Sequence, residues 1–130
     1  MVGLVIVSHS GKVAEGIREL AMQMAKPDQL IIAAGGMEDG SIGTDAVRIM
    51  DAINQAMSPE GVAVLVDLGS AVLSTETALE MMDEDLRARV KIADAPVLEG
   101  AISGAVQASL GSSLEEVLAA AAGARDLHKG

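Results

Sequence analysis

The apolar residues of this chain fall into two alternating patterns, short unbroken runs of branched aliphatics and longer stretches that recur every three or four positions. Leu4-Val5-Ile6-Val7 is the first run, and it stops abruptly at Ser8-His9-Ser10-Gly11. A run too short for a helix of its own suits a strand covered on both faces, as in parallel sheets. From Lys12 to Met24 the apolar positions are Val13, Ala14, Ile17, Leu20, Ala21 and Met24, the recurrence of one helix face. Lys26-Pro27-Asp28 breaks this helix, and Leu30-Ile31-Ile32-Ala33 supplies a second strand. Thr44-Asp45 caps a helix whose core face is Ala46, Ile49, Met50, Ile53 and Met57, and Ser58-Pro59-Glu60-Gly61 ends it. Val62 to Val66 is a third strand, ending in Asp67-Leu68-Gly69-Ser70. The next helix offers Val72, Leu73, Leu79 and Met82 to the core, with Asp83-Glu84-Asp85 as its solvated end. Val90-Lys91-Ile92-Ala93 is a fourth, weaker strand, closed by Asp94-Ala95-Pro96.

The last third is rich in Gly, Ala and Ser. Leu98, Ile102 and Val106 mark one face of a helix from Val97 to Leu110, a composition suited to close packing. Ser113-Leu114-Glu115-Glu116 has capping-box spacing and opens a final helix through Ala122, which Gly123 stops. Residues 1–122 therefore read as one domain and 123–130 as a short tail carrying His128. Four alternations of strand and helix predict an α/β fold, a three-layer open and mostly parallel sheet with right-handed crossovers and helices on both faces. Ligands bind such sheets beyond the carboxyl ends of the strands where the order reverses, most often between strands one and three. Those strands end in His9 and in Asp67 to Ser70, and the loop from Gly35 to Thr44, with four glycines in ten residues, lies on the same edge. That loop is either a flexible surface loop or one held open for close backbone approach.

Composition narrows the chemistry. The 130 residues suffice for one core without staples, and the absence of cysteine excludes disulfides and thiolate sites. Two histidines far apart leave little for a metal, so no metal site is expected. A net charge of −10 argues against nucleic acid and anionic membrane as partners and favours a basic or mixed-charge protein. Phe, Tyr and Trp are all absent, so base stacking is excluded and the eight methionines are expected to fill the core. With no signal-like segment and no membrane span in the sequence, a cytoplasmic protein is the simplest expectation.

No P-loop spacing occurs, and the glycines after strand one do not fit a dinucleotide fingerprint. No second histidine is placed as a general base for Ser8, Ser10 or Ser70, which leaves a hydrolase triad weakly supported. A histidine between a strand end and a helix start is either a surface or capping residue or a nucleophile. Phosphoryl transfer asks mainly for positioning and for donors around the phosphoryl oxygens, which helix starts and glycine backbones provide. His9 as phosphoryl acceptor and donor, with Asp67 orienting its ring, fits these residues.

Val5-Ile6-Val7-Ser8-His9-Ser10, Gly36 through Thr44 (with Ile42-Gly43-Thr44-Asp45-Ala46), Asp67-Leu68-Gly69-Ser70-Ala71 and Ala95-Pro96-Val97-Leu98-Glu99-Gly100 together resemble the DhaM family, the phosphotransferase subunits of dihydroxyacetone kinases driven by phosphoenolpyruvate. The resemblance runs in order through residues 2 to 120 and extends more loosely to the enzyme IIA domains of mannose-class sugar phosphotransferase systems. It implies a phosphohistidine at His9, with Ser10, Gly36, Gly40, Thr44, Gly69 and Ser70 near the phosphoryl group. It implies HPr as donor and ADP held on the DhaL subunit as acceptor, with no cofactor in this chain itself. It also implies a homodimer and a core sheet of order 2-1-3-4 with an added edge strand. Some members continue into fused HPr-like and enzyme I-like domains, whereas this sequence stops at Gly130, so phosphate is expected in trans. The sugar-system enzymes IIA carry Trp-Gly-Gly-Ser-Pro after the strand-three aspartate where this chain has Leu68-Gly69-Ser70-Ala71-Val72, which favours the dihydroxyacetone branch. The other roles that fit are an enzyme IIA serving a sugar transporter, a regulatory module phosphorylated by HPr, and a small-molecule sensor.

Overall fold

The computed structural model describes residues 1–130. Its single sheet has four parallel strands in the order β2-β1-β3-β4, where β1 is Gly3–Ser8, β2 Ile31–Gly35, β3 Val62–Val66 and β4 Val90–Ile92. The sheet ends at β4, and the added edge strand implied by the resemblance is not formed within these residues. Six helices follow the strands: α1 Gly11–Met24, α2 Ala46–Ala56, α3 Gly69–Glu80, α4 Glu84–Arg87, α5 Val97–Ser109 and α6 Leu114–Gly123. No helix is long and apolar enough to cross a membrane.

All six residues of β1 are buried, as the central position of the strand requires. Its side chains alternate between two cores. Leu4 and Ile6 point to the layer of α1, α5 and α6, where they meet Ile17, Ala105 and Val117. Val5 and Val7 point to the layer of α2 and α3, where they meet Ile49, Ile53 and Ala71. At the free edge of β2 two arginines occupy outward carbonyls, Arg18 Nε on Ile31 O at 2.7 Å and Arg48 Nη2 on Gly35 O at 3.4 Å, which blunts that edge against pairing with another strand. The last residues fold back on the start of α5. Arg125 pairs with Asp94 at 3.0 Å, and Lys129 contacts Glu99.

Several helices turn a different face inward from the one expected. In α3 the buried residues are Ala71, Thr75 and Ala78, while Leu73 is exposed. Two residues along a helix is over half a turn, so once Ala71 faces β3, Leu73 must face away. The Thr75 hydroxyl tolerates burial because it donates to Ala71 O at 2.7 Å. In α1 the buried line is Ala14, Ile17 and Ala21, and Val13, Leu20 and Met24 remain on an exposed shoulder. In α5 the small residues Gly100, Ala101, Gly104, Ala105 and Ala108 are buried, whereas Val106 is exposed. The cause is crowding, since a Cβ on Gly100 meets Ala95 Cβ at 2.9 Å and Leu65 Cδ1 at 3.3 Å. Asp83-Glu84-Asp85 opens the one-turn helix α4 rather than ending α3. Of the eight methionines only Met82 is buried, with Met22, Met50 and Met57 packed partly against the two cores.

Two glycines of opposite character test this packing. A Cβ on Gly3 falls 2.0 Å from Ala56 O, a backbone atom that cannot yield cheaply, whereas a Cβ on Gly16, within α1, meets nothing within 4 Å. Gly3→Ala is expected to destabilise the protein by about 2–3 kcal/mol. Gly16→Ala is expected to stabilise it by roughly 0.5–1 kcal/mol through backbone entropy and helix propensity. Urea unfolding midpoints measure both, and equal shifts of the same sign would contradict the packing described.

Candidate active site

Val7 of β1 and Val66 of β3 are register partners, and Asp67 N extends the ladder by donating to Val7 O at 3.2 Å. Ser8-His9 and Asp67 therefore leave the sheet side by side. The Asp67 carboxylate accepts four hydrogen bonds there. Its Oδ2 takes Ser8 Oγ at 2.9 Å and His9 N at 3.0 Å. Its Oδ1 takes His9 Nδ1 at 2.9 Å and Leu68 N at 2.7 Å. Ser8 is itself buried, and its hydroxyl also accepts Ser10 N at 3.1 Å. Burial on its own raises the pKa of Asp67, but the donors from the His9 backbone, the His9 ring, Ser8 and Leu68 outweigh it and hold the carboxyl below 3.8.

An ionised carboxylate on Nδ1 places the ring proton there, so the lone pair is on Nε2. That atom contacts the Ser70 hydroxyl at the start of α3. Helix α3 begins at Gly69 without a side-chain cap at Leu68, so no capping side chain occupies its first N–H groups. The glycine loop is strapped to the backbone on both sides of this ring. Gly36, with φ +70°, donates to Ser8 O at 3.1 Å, and Gly43, with φ +147°, donates to His9 O at 2.9 Å. At its far end Thr44 Oγ1 and Ser74 Oγ share a hydrogen bond of 2.6 Å, which ties the loop to α3 one turn beyond Ser70.

The structure thus brings His9, Asp67 and Ser70 into direct contact, with Gly69 beside Ser70. The hydroxyl of Ser10 caps α1 by accepting from Val13 N at 3.3 Å. Gly40 makes the tight turn at the loop tip with φ +88°, donating to Met37 O at 2.9 Å, and Gly36 and Thr44 anchor the loop. Three residues outside the expected set contribute. Ser8 braces Asp67, Gly43 holds the His9 carbonyl, and Ser74 receives the loop. Ser8 carried a readable signal, because a polar residue closing a buried apolar strand needs a partner. Ser74 stands four residues after Ser70 and so shares its helix face.

This geometry permits a nucleophilic step at Nε2 without a separate base, because the tautomer that donates from Nδ1 to Asp67 presents its lone pair at Nε2. A bond from Nε2 to phosphorus places positive charge on the ring, and the Asp67 carboxylate at Nδ1 stabilises it. An open crevice of about 380 Å³ adjoins Asp67 and is lined by Leu68, Val72, Ile92, Ala93 and Ala95. No group of three or more His, Asp or Glu side chains converges as a metal site does.

The lowered pKa of Asp67 makes a pH prediction with a definite sign. A depressed folded-state pKa contributes stability that is fully present above 3.8 and is lost as the pH falls through the lower folded value. Wild type is expected to exceed Asp67→Asn in urea midpoint near neutral pH, and the gap is expected to narrow below 3.8. A gap that stays constant across that range would show that the four donors do not depend on the carboxylate charge.

Comparison with known proteins accords with this arrangement. The EIIA-man family, described as the PTS system fructose IIA component, matches residues 3–118. The phosphoryl donor subunit DhaM of a PEP-dependent dihydroxyacetone kinase from Listeria innocua is 42% identical, covering 91% of this chain and 94% of its own length. The DhaM of Providencia stuartii is 47% identical over 91% of this chain, and that of Escherichia coli 45% identical over the same share. This chain spans about a quarter of the length of those two relatives, 25% and 26%. A crystal structure of the unknown-function protein EF1359 superposes with a TM-score of 0.86 at 39% identity, covering 100% of this chain and 98% of that one. A match to the family over nearly all of the strand and helix framework, together with a full-length relative of the same size, shows that the chain belongs to the EIIA-man family and, within it, to the DhaM phosphoryl donor subunits.

Proposed function

We propose that this chain is the phosphohistidine relay of a dihydroxyacetone kinase, taking a phosphoryl group from HPr onto His9 Nε2 and passing it to ADP bound on a DhaL subunit. The observation that carries this reading is the tethered ring, with Nδ1 on an ionised Asp67 and Nε2 turned to Ser70 at the carboxyl edge of the sheet. In the first step the Nε2 lone pair attacks phosphorus, and the bond from phosphorus to the donor breaks with its electron pair leaving on the donor. The Ser70 hydroxyl turns from the lone pair to a phosphoryl oxygen, and Ser10, Gly36, Gly40, Thr44 and Gly69 shape the walls around it. In the second step a terminal phosphate oxygen of ADP attacks, the nitrogen–phosphorus bond breaks and its electrons return to Nε2. The chain holds no nucleotide or metal of its own and works as a homodimer in the cytoplasm, with residues 1–122 as the phosphocarrier domain. The names of its relatives support the phosphoryl-donor role.

The test is intact-protein mass after incubation with phosphoenolpyruvate, enzyme I and HPr, followed by DhaL loaded with ADP. One phosphoryl group is expected to appear on wild type and His128→Ala but not on His9→Ala, and to leave when DhaL with ADP is added. Gain without loss to ADP would assign the chain to a sugar transporter or a regulatory role. No gain while HPr is itself phosphorylated would defeat the relay.

A further inference from the structure

Position 8 breaks the pattern of its strand. Leu4 to Val7 are aliphatic and buried, and Ser8 is buried with them, with 1% of its surface exposed. A hydroxyl in such a place costs desolvation unless it is hydrogen-bonded. Here both sides of the group are used, since Ser8 Oγ donates to Asp67 Oδ2 at 2.9 Å and accepts Ser10 N at 3.1 Å. One oxygen thus bridges the backbone of Ser10 to the carboxylate of Asp67, with His9 between them. Ser10 is in turn the cap of α1, with Val13 N on its hydroxyl and Ala14 N on its carbonyl. We propose that Ser8 is a positioning residue of the phosphoryl transfer, whose hydroxyl locks the Asp67 carboxylate in the rotation that keeps the His9 proton on Nδ1 and the lone pair on Nε2.

This role rests on the relay reading and adds a residue to it. The terminal torsion of an aspartate is soft, so its two oxygens stay in place only where both are held. Oδ1 is held by the ring that has to be oriented and by Leu68 N, the neighbour of Asp67 itself. Oδ2 is held by His9 N and by Ser8. Of these four donors Ser8 Oγ alone belongs to a fully buried side chain, whereas the side chains of His9 and Asp67 are 22% and 16% exposed. Water has no route to take the place of the Ser8 hydroxyl. Without it Oδ2 keeps a single donor, Ser10 N loses its acceptor, and the carboxylate turns. The partner at Nδ1 sets the tautomer, so a turned carboxylate lets the proton move to Nε2, where it occupies the lone pair that attacks phosphorus. The loss then falls on the chemical step and not on the affinity for the donor protein.

Ser109 supplies the control. It is a second buried hydroxyl with the same pair of bonds, accepting Lys26 N at 3.1 Å and donating to Gln29 Oε1 at 3.5 Å. It is the last residue of α5, which starts at the carboxyl edge of the sheet after β4 and so ends at the opposite edge from His9. Ser8→Ala, Ser8→Thr and Ser109→Ala are made together with His128→Ala, which leaves His9 as the only histidine. Ser8→Cys, which fills the same space with a weak donor, replaces Ser8→Ala if that variant does not fold. Nitrogen-15 NMR of the unphosphorylated ring at about pH 9, where histidine is neutral, reads the tautomer. Single-turnover phosphorylation by HPr reads the saturating rate and the HPr concentration at half saturation. Ser8→Ala is expected to mix the two tautomers and to lower the saturating rate roughly 10-fold to 30-fold, with half saturation unchanged. Ser8→Thr retains the hydroxyl and is expected to keep the Nδ1–H tautomer and a rate within about threefold of wild type. Ser109→Ala is expected to keep the wild-type tautomer and rate even where its urea midpoint falls. Ser8→Ala with the tautomer and saturating rate of wild type overturns the positioning role whatever its urea midpoint, and so does a loss confined to half saturation. A wild-type ring with its proton on Nδ1 that takes no phosphate from HPr overturns the relay instead, and the tautomer of Ser8→Ala still decides whether the hydroxyl positions the ring.

Discussion

The Asp67 carboxylate is where two neighbouring strands, a helix start and a histidine are joined by four hydrogen bonds. Each bond has a distinct consequence. Ser8 Oγ satisfies a hydroxyl that the core would otherwise strand, and His9 N fixes the backbone as it leaves β1. Leu68 N fixes the turn into α3, and Nδ1 fixes the plane and tautomer of the ring. The same donors keep the group ionised despite its burial, so the electrostatics of the site and the closure of the strand ends arise from one set of contacts. Neutral hydroxyl or amide groups at residue 67 could accept some of these bonds but could not hold a positive imidazole.

The site reaches its geometry because small residues let the layers close. A Cβ on Gly35 meets Ser10 O at 2.5 Å and Gly11 Cα at 2.9 Å, so the end of β2 lies directly against the start of α1. From that contact the loop departs at Gly36 and crosses the His9 backbone before it returns to α2. On the other side, Ala71, Thr75 and Ala78 allow α3 to lie close on β3, which brings Ser70 onto Nε2. A chain without aromatic residues fills its cores with short side chains and gains helix-to-sheet proximity in return.

The strand framework was legible because unbroken aliphatic runs and their abrupt polar ends carry both the strand positions and the residues delivered to the sheet edge. His9, Asp67 and Ser70 follow from those ends together with the reversal of strand order between β1 and β3. Helix orientation was less legible. Periodicity weights a side chain by hydrophobicity, whereas the buried faces of α3 and α5 are chosen by size, so Leu73 and Val106 lie outward where periodicity points them inward. The Thr44–Ser74 bond and the Gly43 strap depend on the path of a loop, which no period in the sequence describes.

The displaced leucine connects these points. In α3 an alanine is buried at 71 and a leucine exposed at 73, the reverse of what burial alone would select. A leucine on the buried face would push the helix outward and carry Ser70 away from the ring, so the close approach of α3 requires the small residue inside. Nothing in that requirement asks for a leucine outside, where a polar residue would cost less. Local pattern and tertiary packing disagree here beside His9 Nε2, and such disagreements concentrate where function sets the residue.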